Sequence, residues 1–222
     1  MLKNVDSFRL QPIINLYNKR PNIVSYEILT NLKNIDIDLE SYFKQLTTLE
    51  YHNLFLYQAS LCSKMSGKFH VNAPCELFLE RFVSNSLLNR LNAFKCHNLE
   101  IEIQDPERVL NCNIDELYSL KAEIIQIRST GASIWIDDIN TDHFELAFEL
   151  GLDGVKLDKS CFWDVSDFES LHKLFKQRDI SLIIEGVQDI EHFKKALETP
   201  QIYYQGFFWP DINIDLNGTF KT

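Results

Sequence analysis

The chain is short of the residues that break structure. Its 222 residues hold only seven glycines and six prolines, and no stretch reads as a linker or a low-complexity segment. That scarcity argues against small modules on flexible tethers, and one continuous domain over residues 1–222 is expected. No apolar run approaches the ~20 residues a membrane helix needs. The opening Met1-Leu2-Lys3-Asn4-Val5-Asp6 is too polar for a signal peptide. Basic charge is short as well: 22 Lys and Arg stand against 32 Asp and Glu, a net charge of −10. A groove for a nucleic-acid polymer would show a basic stripe, so neither such a polymer nor a membrane is expected as a partner. The cysteines (Cys62, Cys75, Cys96, Cys112 and Cys161) are odd in number and form no C-x-x-C pair. Free thiols packed as small hydrophobes in a reducing cytoplasm are the expectation.

What the chain does have is a rhythm. Short apolar runs keep ending in an acidic or amide side chain. Ser133-Ile134-Trp135-Ile136 stops at Asp137-Asp138, Leu182-Ile183-Ile184 at Glu185, Ile23-Val24-Ser25-Tyr26 at Glu27, and Phe69-His70-Val71 at Asn72. Leu99-Glu100-Ile101 runs into Glu102, and Gly154-Val155 into Lys156-Leu157-Asp158. A strand buried on both faces is apolar throughout. A carboxylate at the end of such a strand is costly unless water, a cation or a partner meets it.

The strand-like runs are Phe8 to Leu16, Ile23 to Leu29, Lys68 to Asn72, Leu99 to Gln104, Ser133 to Ile139, Gly154 to Leu157, Ser181 to Gly186 and Tyr203 to Phe208. Helical spacing falls between them. Leu39, Phe43, Leu46 and Leu49 predict one long helix running to about Ser63. Leu77, Phe78, Phe82 and Leu87 predict a second, opened by Pro74. Leu117, Leu120, Ile124 and Ile127 predict a third, and Leu146–Leu150, Phe168–Phe175 and Ile190–Leu197 the rest. Gly131 and Gly151 stand where helices want a left-handed end. Strands alternating with helices in this way predict an α/β fold, a modified TIM-like (β/α) barrel. The first two strands are joined only by Tyr17 to Asn22, too short for a helical crossover, so one strand near the N-terminus should run antiparallel. An open doubly wound sheet is the weaker alternative, because no glycine-rich phosphate loop follows any strand.

In such a barrel the strand ends and the loops after them form the active face. Glu27, Asn72, Glu102, Asp137, Asp138 and Glu185 would converge there. An all-oxygen set suits Mg²⁺ or Mn²⁺ rather than zinc. Adjacent Asp137 and Asp138 can serve two ions, one by bridging, and a two-metal site suits phosphodiester hydrolysis. Lys156 adds a cation that could orient water or neutralise developing phosphate charge. His70, two residues before Asn72, would share its strand face and could border the site, with a packed or surface histidine the main expectation.

These residues resemble the EAL domain family, cyclic di-GMP phosphodiesterases. Gln11-Pro12-Ile13 resembles the family's Q-P-I, Tyr26-Glu27-Ile28-Leu29 its Y-E-A-L, Val71-Asn72 its V-N, and Leu99 to Asp105 its L-E-L-E-I-T-E. Asp137-Asp138 matches D-D, Lys156-Leu157-Asp158 matches K-I-D, Ile184-Glu185-Gly186-Val187 matches A-E-G-V, and Gln205-Gly206-Phe207 matches Q-G-Y. The resemblance runs from Leu10 to about Pro210 and marks the chain as a divergent member. It implies metal ligands at Glu27, Asn72, Glu102, Asp137, Asp138 and Glu185, and catalytic roles for Lys156 and Glu185. It implies substrate-facing positions at Gln11, Leu29, Asn31 and Gln205, and hydrolysis of cyclic di-GMP to pGpG.

The chain departs from the family at identifiable places. Asn31 stands where the family has an arginine that clamps phosphate. Ile139-Asn140-Thr141-Asp142-His143-Phe144-Glu145 replaces F-G-T-G-Y-S-S, so Asn140 or Asp142 would take any positive φ the loop requires. Asp105 replaces the glutamate that anchors this loop, Gln188 replaces an acid, and Phe208-Trp209-Pro210 shortens the segment before proline. Trp209 is expected to pack. Two readings follow: a metal-dependent enzyme, weak or partner-activated, or a silent EAL-like module that binds a regulatory protein or cyclic di-GMP without cutting it. His143 and Phe144 would be an exposed contact in the second reading, or plain helix packing. A homodimer is the family habit.

Overall fold

A computed structural model describes residues 4–33, 36, 38–94, 96–164, 167–199 and 202–221, with the backbone alone at Tyr17 and 81–85. The opening Met1 to Lys3 and the helix-face role of Phe82 lie outside that description. The strands are β1 (Val5–Asn15), β2 (Asn22–Leu32), β3 (Phe69–Pro74), β4 (Leu99–Gln104), β5 (Ser133–Ile139), β6 (Gly154–Leu157), β7 (Ser181–Ile184), β8 (Tyr203–Tyr204) and β9 (Ile212–Ile214). The helices are α1 (Leu39–Lys44), α2 (Thr48–Cys62), α3 (Glu76–Leu79), α4 (Arg81–Leu91), α5 (Pro106–Leu110), α6 (Ile114–Arg128), α7 (Phe144–Leu150), α8 (Lys159–Asp164), α9 (Phe168–Gln177) and α10 (Ile190–Leu197).

Strands β2 to β8 pair in parallel in chain order. β1 closes the ring, antiparallel to both β2 and β8. The fold is thus the closed α/β barrel with one antiparallel strand. A six-residue connection cannot reverse the chain except as a hairpin, and left-handed Asn18 and Lys19 turn it. β9 was not legible in the sequence. It pairs antiparallel with Phe8 to Leu10 on β1, beyond the Ile14–Tyr204 and Asn15–Tyr203 pairs made by β8. Of the run expected from Tyr203 to Phe208 only Tyr203–Tyr204 is strand, and β9 lies beyond that run on the same edge of β1. The chain leaves that edge between them.

Alternation along each strand builds the interior in layers, because residues i and i+2 share a face. Two positions below each prospective site residue lies a floor residue: Ile13, Ser25, His70, Glu100, Trp135, Gly154, Ile183 and Tyr203. Ile13, Trp135 and Ile183 form an apolar cluster apart from the main core. The Trp135 indole donates to Glu100 (2.6 Å), which also holds Lys68 (2.8 Å). Trp135 takes the space beside β6, so a Cβ on Gly154 would sit 2.3 Å from its ring.

Two helices break where periodicity alone predicts continuity. Thr47 and Glu50 form a reciprocal capping box that starts α2 afresh after α1. Extended backbone at Glu80 separates α3 from α4, and Pro74 ends β3 rather than opening a helix. The short α5 and α8 were not anticipated. Cys62, Cys75 and Cys96 are buried, Cys112 and Cys161 are half-buried, and all five are free. No helix among the described residues is long and apolar enough to cross a membrane.

Gly154→Ala should cost about 1–3 kcal/mol by forcing the indole from its slot. A urea midpoint unchanged from wild type would contradict this packing.

Candidate metal centre

Lys156 on β6 is the centre of the site. Its side chain is 1% exposed, and Nζ lies 2.8 Å from Glu185, 3.1 Å from Glu27, 3.1 Å from Asp137 and 3.2 Å from Glu102. Four strands that are distant in sequence thus meet on one ammonium. Burial would discharge the lysine, but the four carboxylates outweigh it and hold its pKa well above the ordinary value. It remains a cation and is no proton acceptor near neutral pH.

The amides complete the ring. Asn72 Nδ2 donates to Glu27 Oε1 (2.6 Å), and Gln205 Nε2 donates to Glu27 Oε2 and to Gln11 Oε1 (2.7 Å from Gln11). The Gln205–Gln11 bond spans the gap on the β1 edge between β8 and β9. Gly206 follows with φ +156°, and a Cβ there would meet the Val187 carbonyl oxygen, so this residue must be glycine for the chain to turn out of the barrel.

Each carboxylate differs in its burden. Burial raises Glu27, yet Lys156 and the two amides outweigh burial and leave it below the usual range. Burial dominates at Glu102 and Asp137 and lifts both far above it, against the pull of Lys156. Glu185, the most exposed of the four, is pushed up to about 8 by burial, with Asp137 adding to the rise. The pocket therefore holds more acidic groups than one lysine can keep ionised, and the surplus acids retain protons unless further positive charge enters.

Oxygen donors of Glu27, Glu102 and Asp137 lie within 4.8 Å of one another, as do those of Asp137, Asp138 and Glu185. Asp137 belongs to both groups. Asp138 is exposed, with a left-handed backbone (φ 53°), and its amide donates to Asp137 Oδ1 (3.0 Å). The Asn72 Oδ1 atom is buried and has no partner among the described residues. An orphaned oxygen beside clustered carboxylates is the chemistry a hard divalent cation satisfies. The donor set therefore fits Mg²⁺ or Mn²⁺.

Leu29 lines a cavity of about 590 Å³ that also reaches Asn72 and Asp138. Asn31, at the rim, donates to Ser7 Oγ and Asn213 Oδ1 and accepts from Arg9. The loop after Asp138 differs from expectation. Its positive φ falls at Asp138, while Asn140 is extended (φ −112°) and caps the turn through the Asp142 amide. His143 is 3% exposed and Phe144 9%, so the exposed-contact reading of that pair is wrong. His143 accepts from the Asn140 amide, and Phe144 packs edge-on against Phe175. Trp209 packs on Phe193 and Phe208.

Two contributors were not assigned from sequence. His70 is fully buried, 2.6 Å from Glu102, and burial drives its pKa down to about 3. It is a neutral imidazole that orients Glu102. Arg9 sits two residues before Gln11 and lines the cavity. The i±2 rule marks both positions.

A family model described as EAL domain matches residues 3–210. No curated protein matches the chain. Among solved structures, an EAL domain protein from Listeria monocytogenes EGD-e is similar at 20% identity and TM-score 0.74, covering 94% of this chain and 89% of that one. BlrP1 of Klebsiella pneumoniae, solved as a calcium and cyclic di-GMP complex, is similar at 19% identity and TM-score 0.75, covering 97% and 57%. The FimX EAL domain of Xanthomonas citri, solved with c-diGMP, is similar at 13% identity and TM-score 0.71, covering 92% and 87%.

Two outcomes follow from the charge balance. In the unfolded chain Glu185 ionises near 4.5; in the folded chain it holds its proton to about 8. Between those values the folded state binds more protons, so stability falls as pH rises. In chelator, the melting temperature should drop between pH 5 and pH 8. Mn²⁺ should raise it, more at pH 8 than at pH 6; a flat profile indifferent to Mn²⁺ is the contrary result. Lys156→Met strands the carboxylates and should cost about 3 kcal/mol or more in urea melts at pH 8, and less at pH 6 as the carboxylates take up protons.

Proposed function

The chain belongs to the EAL domain family, and we propose that it is a metal-dependent phosphodiesterase that opens cyclic di-GMP to linear pGpG. The observation that carries this reading is the unpartnered Asn72 oxygen set among carboxylates that share oxygen clusters around Asp137. Glu27, Asn72, Glu102 and Asp137 would hold one divalent ion, and Asp137, Asp138 and Glu185 a second. Bound there, the ions would supply Lewis-acid charge and an activated water.

The protein's own groups do the rest. Lys156 keeps its proton and holds four acidic side chains around one point, which keeps the donors gathered before any ligand arrives. Gln205 and Asn72 fix the rotamer of Glu27, and His70 fixes that of Glu102. Glu185, the most exposed of the four carboxylates around Lys156, is placed to take a proton from water. Leu29 offers an apolar wall to a purine. The complexes of BlrP1 and the FimX EAL domain with the dinucleotide support the choice of ligand.

A second reading is favoured by Asn31, which puts an uncharged amide where a clamp is expected: an EAL-like module that binds the dinucleotide or a regulatory protein without hydrolysis. Phe207, 72% exposed at the outward turn after Gln205, is a contact such a module would offer. One assay separates the two. Purified protein with cyclic di-GMP and Mn²⁺ should release pGpG, and Glu27→Ala or Lys156→Ala should reduce the rate by at least a hundredfold. No pGpG at saturating Mn²⁺ would assign the chain to the second reading.

A further inference from the structure

Resting on the dinucleotide reading above, we propose that Arg9 on β1 is the residue that receives a ligand phosphate, in the place of the charge that Asn31 lacks. Arg9 and Leu29 are cross-strand partners, as are Gln11 and Glu27. Alternation therefore stacks Arg9 directly over the Gln11–Glu27 pair, one layer closer to the open face. The guanidinium reaches across to Asn31, with Nη1 3.0 Å from Oδ1. It thus occupies the rim position beside β2 from the neighbouring strand.

The guanidinium is fixed and incompletely used. Nε is held by Asp211 at 3.1 Å, and Nη1 is held by Asn31 and, more loosely, by the Thr30 carbonyl at 3.5 Å. Among the described residues none accepts from Nη2. The side chain is 25% exposed, and Arg9 lines the same cavity as Leu29, Asn72 and Asp138. That cavity is otherwise acidic, with Glu40, Glu76, Asp105 and Asp138 on its wall. Its other cation, Lys44, is largely exposed and paired to Glu40. Among the charged groups described on this wall, Arg9 is the partly buried cation that an anionic ligand can meet. A planar fork with one arm free and the other two anchored is preorganised for a phosphate oxygen.

Calorimetry with cyclic di-GMP in Ca²⁺ tests this on wild type, Arg9→Ala and Arg9→Lys. The melting-temperature increment given by Mn²⁺ alone is read in parallel. Arg9→Ala should bind the dinucleotide roughly ten- to hundredfold more weakly, as expected for losing a charge-assisted contact. Arg9→Lys should be intermediate, because it keeps the charge but not the fork. The Mn²⁺ increment should be the same in all three. Wild-type affinity in Arg9→Ala overturns this proposal and leaves the dinucleotide reading standing. So does a loss of thermal stability in both variants with affinity intact, which would confine Arg9 to its rim contact with Asp211. No binding by wild type, with a normal Mn²⁺ increment, overturns both.

Discussion

One ammonium group shared by four carboxylates organises this molecule. Placing Lys156 at full burial is tolerable only because acidic groups from β2, β4, β5 and the end of β7 surround it. The reverse also holds: those acids could not approach one another without it. The strands of the ring are thus tied by charge at their upper ends as well as by backbone pairing along their length. The tie is unbalanced, because four acids exceed one base. That surplus makes the pocket a receptor for positive charge.

The layers beneath explain why the surplus can be held in place. Each charged or amide residue stands two positions from a floor residue on its own strand, and the floor is filled by Trp135, His70, Ile13 and Ile183. A rigid floor fixes the strand ends to within the tolerance that ligand geometry demands. Neutral His70 against Glu102 and the amides against Glu27 set individual rotamers. Position and orientation are therefore supplied by different residues.

Most of this was legible in the sequence because it follows from period. The runs from Leu99, Ser133 and Gly154 match β4, β5 and β6 from end to end, since apolar runs closed by a polar residue leave little ambiguity. The hairpin was legible from the short Tyr17–Asn22 connection. What escaped was set by local capping or by distant partners. The Thr47–Glu50 box divided a helix whose apolar spacing runs on unbroken. β9 exists because β1 offers it an edge, which no local pattern near Ile212 reveals. In the site, the gathering of residues could be expected from the strand endings, but not the burden each carries. The orienting role of His70 and the reach of Arg9 to Asn31 depend on register between strands, which a single strand does not encode.

The seam between β8 and β9 has a further consequence. The side chains that bridge it, Gln11 and Gln205, are 194 residues apart in the chain. Bringing such remote segments together carries a large loop-closure entropy and belongs to the slow class of non-local pairings. The ring cannot be completed during synthesis until its last strands have left the ribosome. Until then β1 is an unsatisfied sheet edge, exposed to pairing with other chains. The pocket is accordingly among the last features of the molecule to form, and a nascent chain cannot present its ligands in their final arrangement before the fold is complete.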